Sequence, residues 1–232
     1  PSAILEFYRD LTEISGFELE TAGVLKGGRK IWALAKTGQS MALKGNDVTN
    51  GYILLATACD GTLATTAQFT SIRVVCNNTL AVALANGNRG VVKVPHNTSF
   101  DAQAVKKQLG ISVSAWDEFM YGLKNLSERK VKPAEAQNYV WRVFNDGGNK
   151  SSTSSSNERA MAKVMTLFEG GGQGSDLASA KGTAFGLLNS ITEFVDHERR
   201  ALNPDNRLDS AWFGQGAAIK QKALDEALLM IA

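Results

Sequence analysis

Residues 60–84 read DGTLATTAQFTSIRVVCNNTLAVAL and contain a turn signal, a strand pattern and a change to helical spacing. Asp60-Gly61 is typical of a two-residue hairpin turn, because both residues tolerate the positive φ that such turns require. Apolar and polar residues alternate from Thr62 to Phe69, which predicts a half-buried strand. We therefore expect a hairpin in which one strand ends near Cys59 and the next begins at Thr62.

The second part of this stretch has the spacing of an amphipathic helix. It predicts a helix over 71–85 with Thr70 or Ser71 as N-cap. On that helix three polar residues lie away from the apolar face, where they form either a solvated surface or a surface that binds a partner. The apolar face carries Ile72, Val75, Thr79, Leu80 and Ala83, and the polar residues are Arg73, Asn77 and Asn78.

The segment before Asp60 predicts antiparallel strands, because alternating runs are separated by glycine-containing turns. The run GYILLATAC (51–59) is almost wholly apolar, which is typical of a central strand covered on both faces. The predicted elements are a helix over 3–15, strands over 17–25, 30–36, 41–44 and 51–59, and turns at 26–29, 37–40 and 45–47.

After a further predicted strand at 91–94 and a short helix over 101–109, the spacing is mainly helical. Pro133 suits the first position of a helix, and Asn157 is expected to cap another. One apolar stripe favours a core helix over a cofactor or base-stacking platform. Its members are Trp116, Phe119, Met120, Leu123 and Leu126.

Two glycine- or serine-rich segments interrupt the helical part. DGGNKSSTSSS (146–156) is interpreted as a linker, with an ordered ligand-binding loop as the alternative. GGGQGS (170–175) lacks the GK[ST] ending of a phosphate-binding loop and is interpreted as a flexible joint.

These patterns predict an α+β fold, in which an antiparallel meander of about five strands packs with helices and precedes a mainly helical C-terminal half. We divide the chain into residues 1–99, with the sheet, and residues 100–232, with the helical part.

The composition is that of a soluble globular protein, with 44% hydrophobic and 21% charged residues in 232. No run approaches the roughly 18 apolar residues of a membrane span, and the start of the chain does not resemble a secretion signal. Cys59 and Cys76 are expected to be small buried residues without a disulfide.

The charge is slightly positive and unevenly distributed. The formal net charge is +2; residues 1–132 hold 15 basic and 11 acidic residues, and residues 133–232 hold 10 and 12. A polyanion-binding surface is therefore expected in the first part.

Four segments, matching in order over nearly the whole chain, resemble an uncharacterised phage- and plasmid-like family with a domain of unknown function. The resemblance implies a mobile-element protein in the cytoplasm of a bacterial host, and carries over no catalytic residues. Relatives have a further N-terminal segment, so a truncated or short member is expected. The segments are ETAGVLKGGRKIWALAK (20–36), residues 60–84, GTAFGLLNSITEFVDHERR (182–200) and RLDSAWFGQGAAIKQKAL (207–224).

The sequence contains no GxSxG, HExxH, CxxC or P-loop motif and only two histidines. We predict no catalytic residue, metal or cofactor, although a carboxylate-based metal nuclease stays open. Glu193, Asp196 and His197 lie close together on one predicted helix, as either a metal or acid–base cluster or ordinary surface charge.

The leading hypothesis is a nucleic-acid-binding protein that binds or anneals single-stranded DNA in recombination or replication. The order of hairpins and helix is similar, at the level of the fold, to single-strand annealing proteins, which form rings or filaments, so we expect self-association. The alternative is a structural or protein-interaction module. The predicted contacts are Lys26, Arg29, Lys30, Arg73, Asn77, Asn78, Lys93, Lys106 and Lys107.

Overall fold

A computed structural model describes residues 9, 16–82, 91–94, 115–145 and 155–232. Almost all of the predicted helix over 3–15, the helix over 101–109 and most of the predicted linker 146–156 lie outside these residues. Lys106 and Lys107, two of the predicted nucleic-acid contacts, also lie outside them.

The described strands form an antiparallel sheet in the order β1-β2-β3-β4-β5, and β6 pairs with the first part of β4. The strands β1 and β2 pair from Glu18 opposite Lys36 to Leu25 opposite Lys30, with an irregularity between Leu19 and Thr21. This sheet and the helices that follow confirm the predicted α+β class. The strands are β1 (Glu18–Leu25), β2 (Lys30–Ala42), β3 (Val48–Ala58), β4 (Thr65–Arg73), β5 (Asn78–Ala81) and β6 (Val91–Val94).

The helices occupy the second part of the described chain. Pro133 is the first residue of its helix, as predicted, and the apolar stripe from Trp116 to Leu126 is buried. A π-type turn follows the third helix at Leu167–Gly171 and the fourth at Phe194–Glu198. The helices are α1 (Trp116–Glu128), α2 (Pro133–Phe144), α3 (Ser155–Thr166), α4 (Ala184–Glu193), α5 (Pro204–Phe213) and α6 (Gln215–Leu228).

The predicted helix over 71–85 is wrong, because the described part of this segment is a β-hairpin. β4 continues to Arg73, and β5 begins at Asn78 after a tight turn. Asn77 has a φ of 54°, in the left-handed region that ends a helix and suits a turn. Thr70 and Ile72 are β-branched and also favour a strand, so the helical spacing of the apolar residues was misleading.

Several strand boundaries also differ from the prediction, and β3 begins at Val48 instead of residue 51. β2 runs through the predicted turn at 37–40 and includes part of the predicted strand 41–44, and the Thr37 hydroxyl donates to the Gly51 carbonyl at 2.8 Å. β4 begins at Thr65 rather than Thr62, because the Asp60 carboxylate accepts hydrogen bonds from the amide and the hydroxyl of Thr62. These bonds form an Asx turn and lengthen the loop.

The two cysteines and Asn157 differ in how well their positions agree with the prediction. Cys76 is buried as predicted, whereas Cys59 is exposed because it lies in the loop after β3. Asn157 lies inside α3 instead of capping it, and its side-chain amide donates to the Phe144 carbonyl at 2.8 Å.

The chain forms two compact units, each of which includes separate segments. The sheet unit comprises residues 1–41, 49–72 and 81–120, and the helical unit comprises residues 42–48, 73–80 and 121–232. The predicted division at residue 99 lies outside the described residues and stays a prediction.

Each unit has its own apolar core. In the sheet unit the rings of Phe69 and Trp116 are 5.8 Å apart. In the helical unit the hydroxyl of the buried Tyr139 donates to the Ala223 carbonyl at 2.7 Å, which links α2 to α6. Within the described ranges, no helix is long and apolar enough to cross a membrane.

Candidate functional site

The helical unit contains a groove of about 750 Å³ between α2, α3, the turn after α4, and α6. Its volume is in the range of ligand-binding pockets. The apolar part includes Phe144 and Phe194, whose rings are 5.8 Å apart in an edge-to-face arrangement. The hydrogen bond from Asn157 to the Phe144 carbonyl ties the α3 wall to the end of α2.

Cationic side chains dominate the charge of this groove. Five basic residues line it, whereas Glu198 is the one carboxylate among the lining residues. The clustering of like charges is unfavourable without a counter-charge, so such a groove attracts anions. The basic residues are Arg159, Lys163, Arg199, Arg200 and Lys222.

The five cations differ in how firmly they are held. The guanidinium of Arg199 donates to the Ser210 hydroxyl at 3.1 Å and to the side-chain oxygen of Gln215 at 2.5 Å. Burial lowers the pKa of Arg199 from its ordinary value, but a guanidinium remains charged at neutral pH. Lys163 pairs with Glu198 at 3.2 Å, and Lys222 donates to the Asn145 carbonyl at 3.3 Å.

Arg159 and Arg200 are exposed and have no ion pair within the described ranges. Together with Arg199 they give the groove one fixed and two adjustable guanidinium groups. Guanidinium groups bind phosphate and carboxylate oxygens through paired hydrogen bonds. The groove therefore has the positive charge and the hydrogen-bond donors that an anion-binding site requires, beside the aromatic pair Phe144 and Phe194.

A family described as a domain of unknown function, DUF932, matches residues 1–212 of the chain. The chain belongs to this family. Comparisons with curated proteins and with solved structures find no match. The matched region of the DUF932 chain includes every wall of the groove except the α6 wall, which begins at Gln215.

The loop between β1 and β2 of the DUF932 chain presents three of the predicted nucleic-acid contacts. Lys26 and Lys30 are half-buried and Arg29 is exposed, and Lys26 has a φ of 55°. The Arg29 side chain donates to the Lys26 carbonyl at 3.1 Å and lies 4.0 Å from Asp60. The loop therefore carries three basic residues at the end of the hairpin, and we call Lys26, Arg29 and Lys30 the cationic tip. Lys93, on β6, is also exposed.

Arg73 and Asn78 do not occupy the exposed positions expected of them, because they belong to the β4–β5 hairpin and not to a helix. Arg73 is 4% exposed and Asn78 is 3% exposed. Arg73 pairs with Asp47, and the Asn78 amide donates to the Asn189 carbonyl at 3.3 Å. Asn77 is exposed in the hairpin turn. Buried as they are, Arg73 and Asn78 hold the helical unit together.

The segment GGGQGS contributes to the surroundings of Arg73. The carbonyls of Gln173 and Gly174 accept hydrogen bonds from the Arg73 guanidinium at 3.5 and 3.1 Å. The Gln173 amide donates to both carboxylate oxygens of Glu193 at 3.1 Å. The loop is therefore held by hydrogen bonds to the buried side chains of Arg73 and Glu193 and is not a free joint.

Glu193, Asp196 and His197 do not form one site. Glu193 contacts the Gln173 amide, whereas Asp196 binds Lys220 at 2.7 Å and the Thr79 amide at 2.7 Å. His197 is exposed. Within the described residues, no group of three potential ligands is placed to hold a metal ion.

The groove cations were missed by reasoning from the sequence. Arg159 and Lys163 are four residues apart on one helix, and Arg199-Arg200 is a basic pair, so both signals were present. The net negative charge of residues 133–232 hid them, because acidic residues elsewhere in that part outnumber the basic ones. Only the packing of α3 beside the turn after α4 brings them together.

Proposed function

We propose that this chain is a nucleic-acid-binding protein and that the groove of the helical unit binds single-stranded DNA. The observation that supports the proposal is the set of five cations around an aromatic and apolar wall. Phosphates give affinity through such cations without regard to base sequence. Unpaired bases add contacts to aromatic and apolar side chains.

Single strands suit this groove better than duplexes. In a duplex the base faces are stacked and inaccessible, so the aromatic wall would gain nothing from them. A single strand can place a phosphate on Arg199 and turn a base towards Phe144. Preference for unpaired strands is the expected result of this combination.

The setting that we propose is recombination or replication of a phage or plasmid in the cytoplasm of a bacterial host. The support is the resemblance of four segments to a phage- and plasmid-like family, together with the basic groove. The chain has a net charge of only +2, so one copy alone would bind weakly and with strong salt dependence. Self-association along one strand would add the contributions of several grooves.

The cationic tip formed by Lys26, Arg29 and Lys30 is proposed as a second contact with phosphates. Its backbone turns through three successive residues with positive φ, at Lys26, Gly27 and Gly28. The two glycines have open space around them, which allows close approach of a backbone phosphate. Lys93 and Asn77 are exposed and stay in the proposal as further contacts.

Fluorescence anisotropy with labelled single-stranded and duplex oligonucleotides of equal length tests the proposal. We expect tighter binding to the single strand and a linear fall of the logarithm of affinity with the logarithm of salt concentration. Light scattering on the same samples reports the mass of the complex. Absence of binding at low salt by a folded protein would reject the proposal and leave the alternative of a protein-interaction module.

A further inference from the structure

Leu202 is 91% exposed, more than any other large hydrophobic residue in the described ranges. It lies in the loop between the turn Phe194–Glu198 and α5, two residues after Arg200. Two residues of chain span at most about 7 Å, so the backbone of Leu202 lies within that distance of Arg200, which lines the groove.

The exposure of Leu202 has no explanation in the local helix. Leu202 precedes Asn203, whose side-chain oxygen caps α5 by accepting from the Asn206 amide at 2.8 Å. An apolar residue in this position commonly packs on the fourth residue of the helix. Here that residue is Arg207, whose side chain donates to the His197 carbonyl instead. Leu202 therefore remains exposed to solvent next to Arg199 and Arg200.

We propose that Leu202 contacts an unpaired base of the strand held in the groove and is a specificity-determining residue for unpaired over paired nucleic acid. The inference rests on the function proposed above. Contact with a base face removes the leucine from water, and that face is open only in an unpaired strand.

An anionic membrane surface also attracts arginines next to an exposed leucine, but the geometry favours a nucleic acid. One leucine has less apolar surface than a single acyl chain, and even one acyl chain gives only marginal membrane binding. The arginines line a groove about 750 Å³ in volume instead of a flat face. A recessed arrangement suits a strand that enters the groove.

The test compares Leu202→Ala with Leu229→Ala, which changes another exposed leucine of the helical unit, 69% exposed. The probe is a single strand that contains one 2-aminopurine, a base whose fluorescence rises when it is unstacked. With the unchanged protein and with Leu229→Ala we expect the fluorescence to rise on binding. With Leu202→Ala we expect little rise and about fivefold weaker binding to the single strand, with duplex affinity and the salt slope unchanged.

The outcomes separate the two proposals. If the unchanged protein binds no strand, the proposed function fails. If it binds and Leu202→Ala behaves like Leu229→Ala, the function stands and the role of Leu202 is overturned. A third arm uses vesicles that contain anionic lipid; loss of vesicle binding in Leu202→Ala, with no change in strand binding, would overturn the inference in favour of a membrane contact.

Discussion

Arg73 and Asp47 form a buried bidentate ion pair, in which Nε and Nη2 each lie 2.8 Å from a different carboxylate oxygen. The side chains are 4% and 0% exposed. Burial alone would lower the pKa of Arg73, but the hydrogen bonds and the charge of Asp47 together hold the pKa above its ordinary value. The pair joins the turn before β3 to the last residue of β4, and both partners belong to the helical unit.

The first prediction is that Arg73→Ala destabilises the fold rather than only weakening binding. Removing one member of a buried ion pair leaves the other charge uncompensated, which costs about 3–5 kcal/mol in the free energy of unfolding. Urea denaturation measures this loss. Arg159→Ala, on an exposed arginine, should change the same quantity by no more than about 0.5 kcal/mol. A small effect of Arg73→Ala would contradict the structural role.

The second prediction concerns Gly174, which has a φ of +67° and lies against the Arg73 guanidinium. A Cβ on Gly174 would lie 2.9 Å from Val75 Cγ1 and 3.1 Å from Arg73 Nη2. Gly27 has a similar φ of +64° but open space around it. We expect Gly174→Ala to lower the free energy of unfolding, measured by urea denaturation, more than Gly27→Ala does, by an excess of about 1–3 kcal/mol. Equal effects would show that backbone strain alone matters.

The sheet could be predicted from the sequence where one residue pattern dominated. Alternation around Lys26-Gly27-Gly28-Arg29 gave the β1–β2 hairpin, and the apolar run at 51–59 gave β3. The hairpin after Arg73 was mistaken for a helix, because its apolar residues happen to fall at helical spacing. The turn that separates β4 from β5 requires the positive φ of Asn77, and the spacing of apolar residues carries no information about that backbone angle.

The groove could not be predicted, because its residues are brought together by packing. Arg159 and Arg200 are 41 positions apart in the sequence. Burial of Arg73 was equally hidden, since its partner Asp47 lies 26 residues away in a predicted turn. Local spacing predicts which face of an element is apolar, but it does not predict which distant charge a buried arginine will meet.

The third prediction is a pH dependence caused by Glu193. Burial raises the pKa of Glu193 above its ordinary value of 4.5, although the Gln173 amide acts in the opposite direction. The folded state therefore holds this proton more tightly, and the contribution of Glu193 to stability falls as pH rises through the folded pKa. The Glu193→Gln variant does not titrate at this position, so its free energy of unfolding should increase relative to that of the unchanged protein as pH rises above 4.5. The increase should stop once the pH exceeds the pKa of Glu193 in the folded state. Urea denaturation between about pH 4 and 8 measures it; a flat difference would contradict the assignment.

The fourth prediction locates the strand in the groove. Arg159→Ala combined with Arg200→Ala should weaken single-strand binding and reduce the salt slope by about 1.4, if each arginine contacts one phosphate. Lys124→Ala combined with Lys181→Ala removes the same charge from exposed positions outside the groove lining, and should leave the slope nearly unchanged. Equal effects of the two double variants would indicate general attraction to the protein and not a site.

The fifth prediction concerns Glu198, the one acidic residue among those that line the groove. Its carboxylate lies 3.2 Å from Lys163 Nζ, so it competes with a phosphate for that lysine and repels the strand. Glu198→Gln should therefore strengthen single-strand binding by about two- to fivefold at low salt, with a smaller gain as salt screens the charge. Glu128→Gln is the matched control, because Glu128 also pairs with a lysine, Lys44 at 2.6 Å, and does not line the groove. Anisotropy titrations of both variants measure the effect. A gain shared by both would reflect net charge alone, whereas weaker binding by Glu198→Gln would mean that Glu198 positions Lys163 for the phosphate.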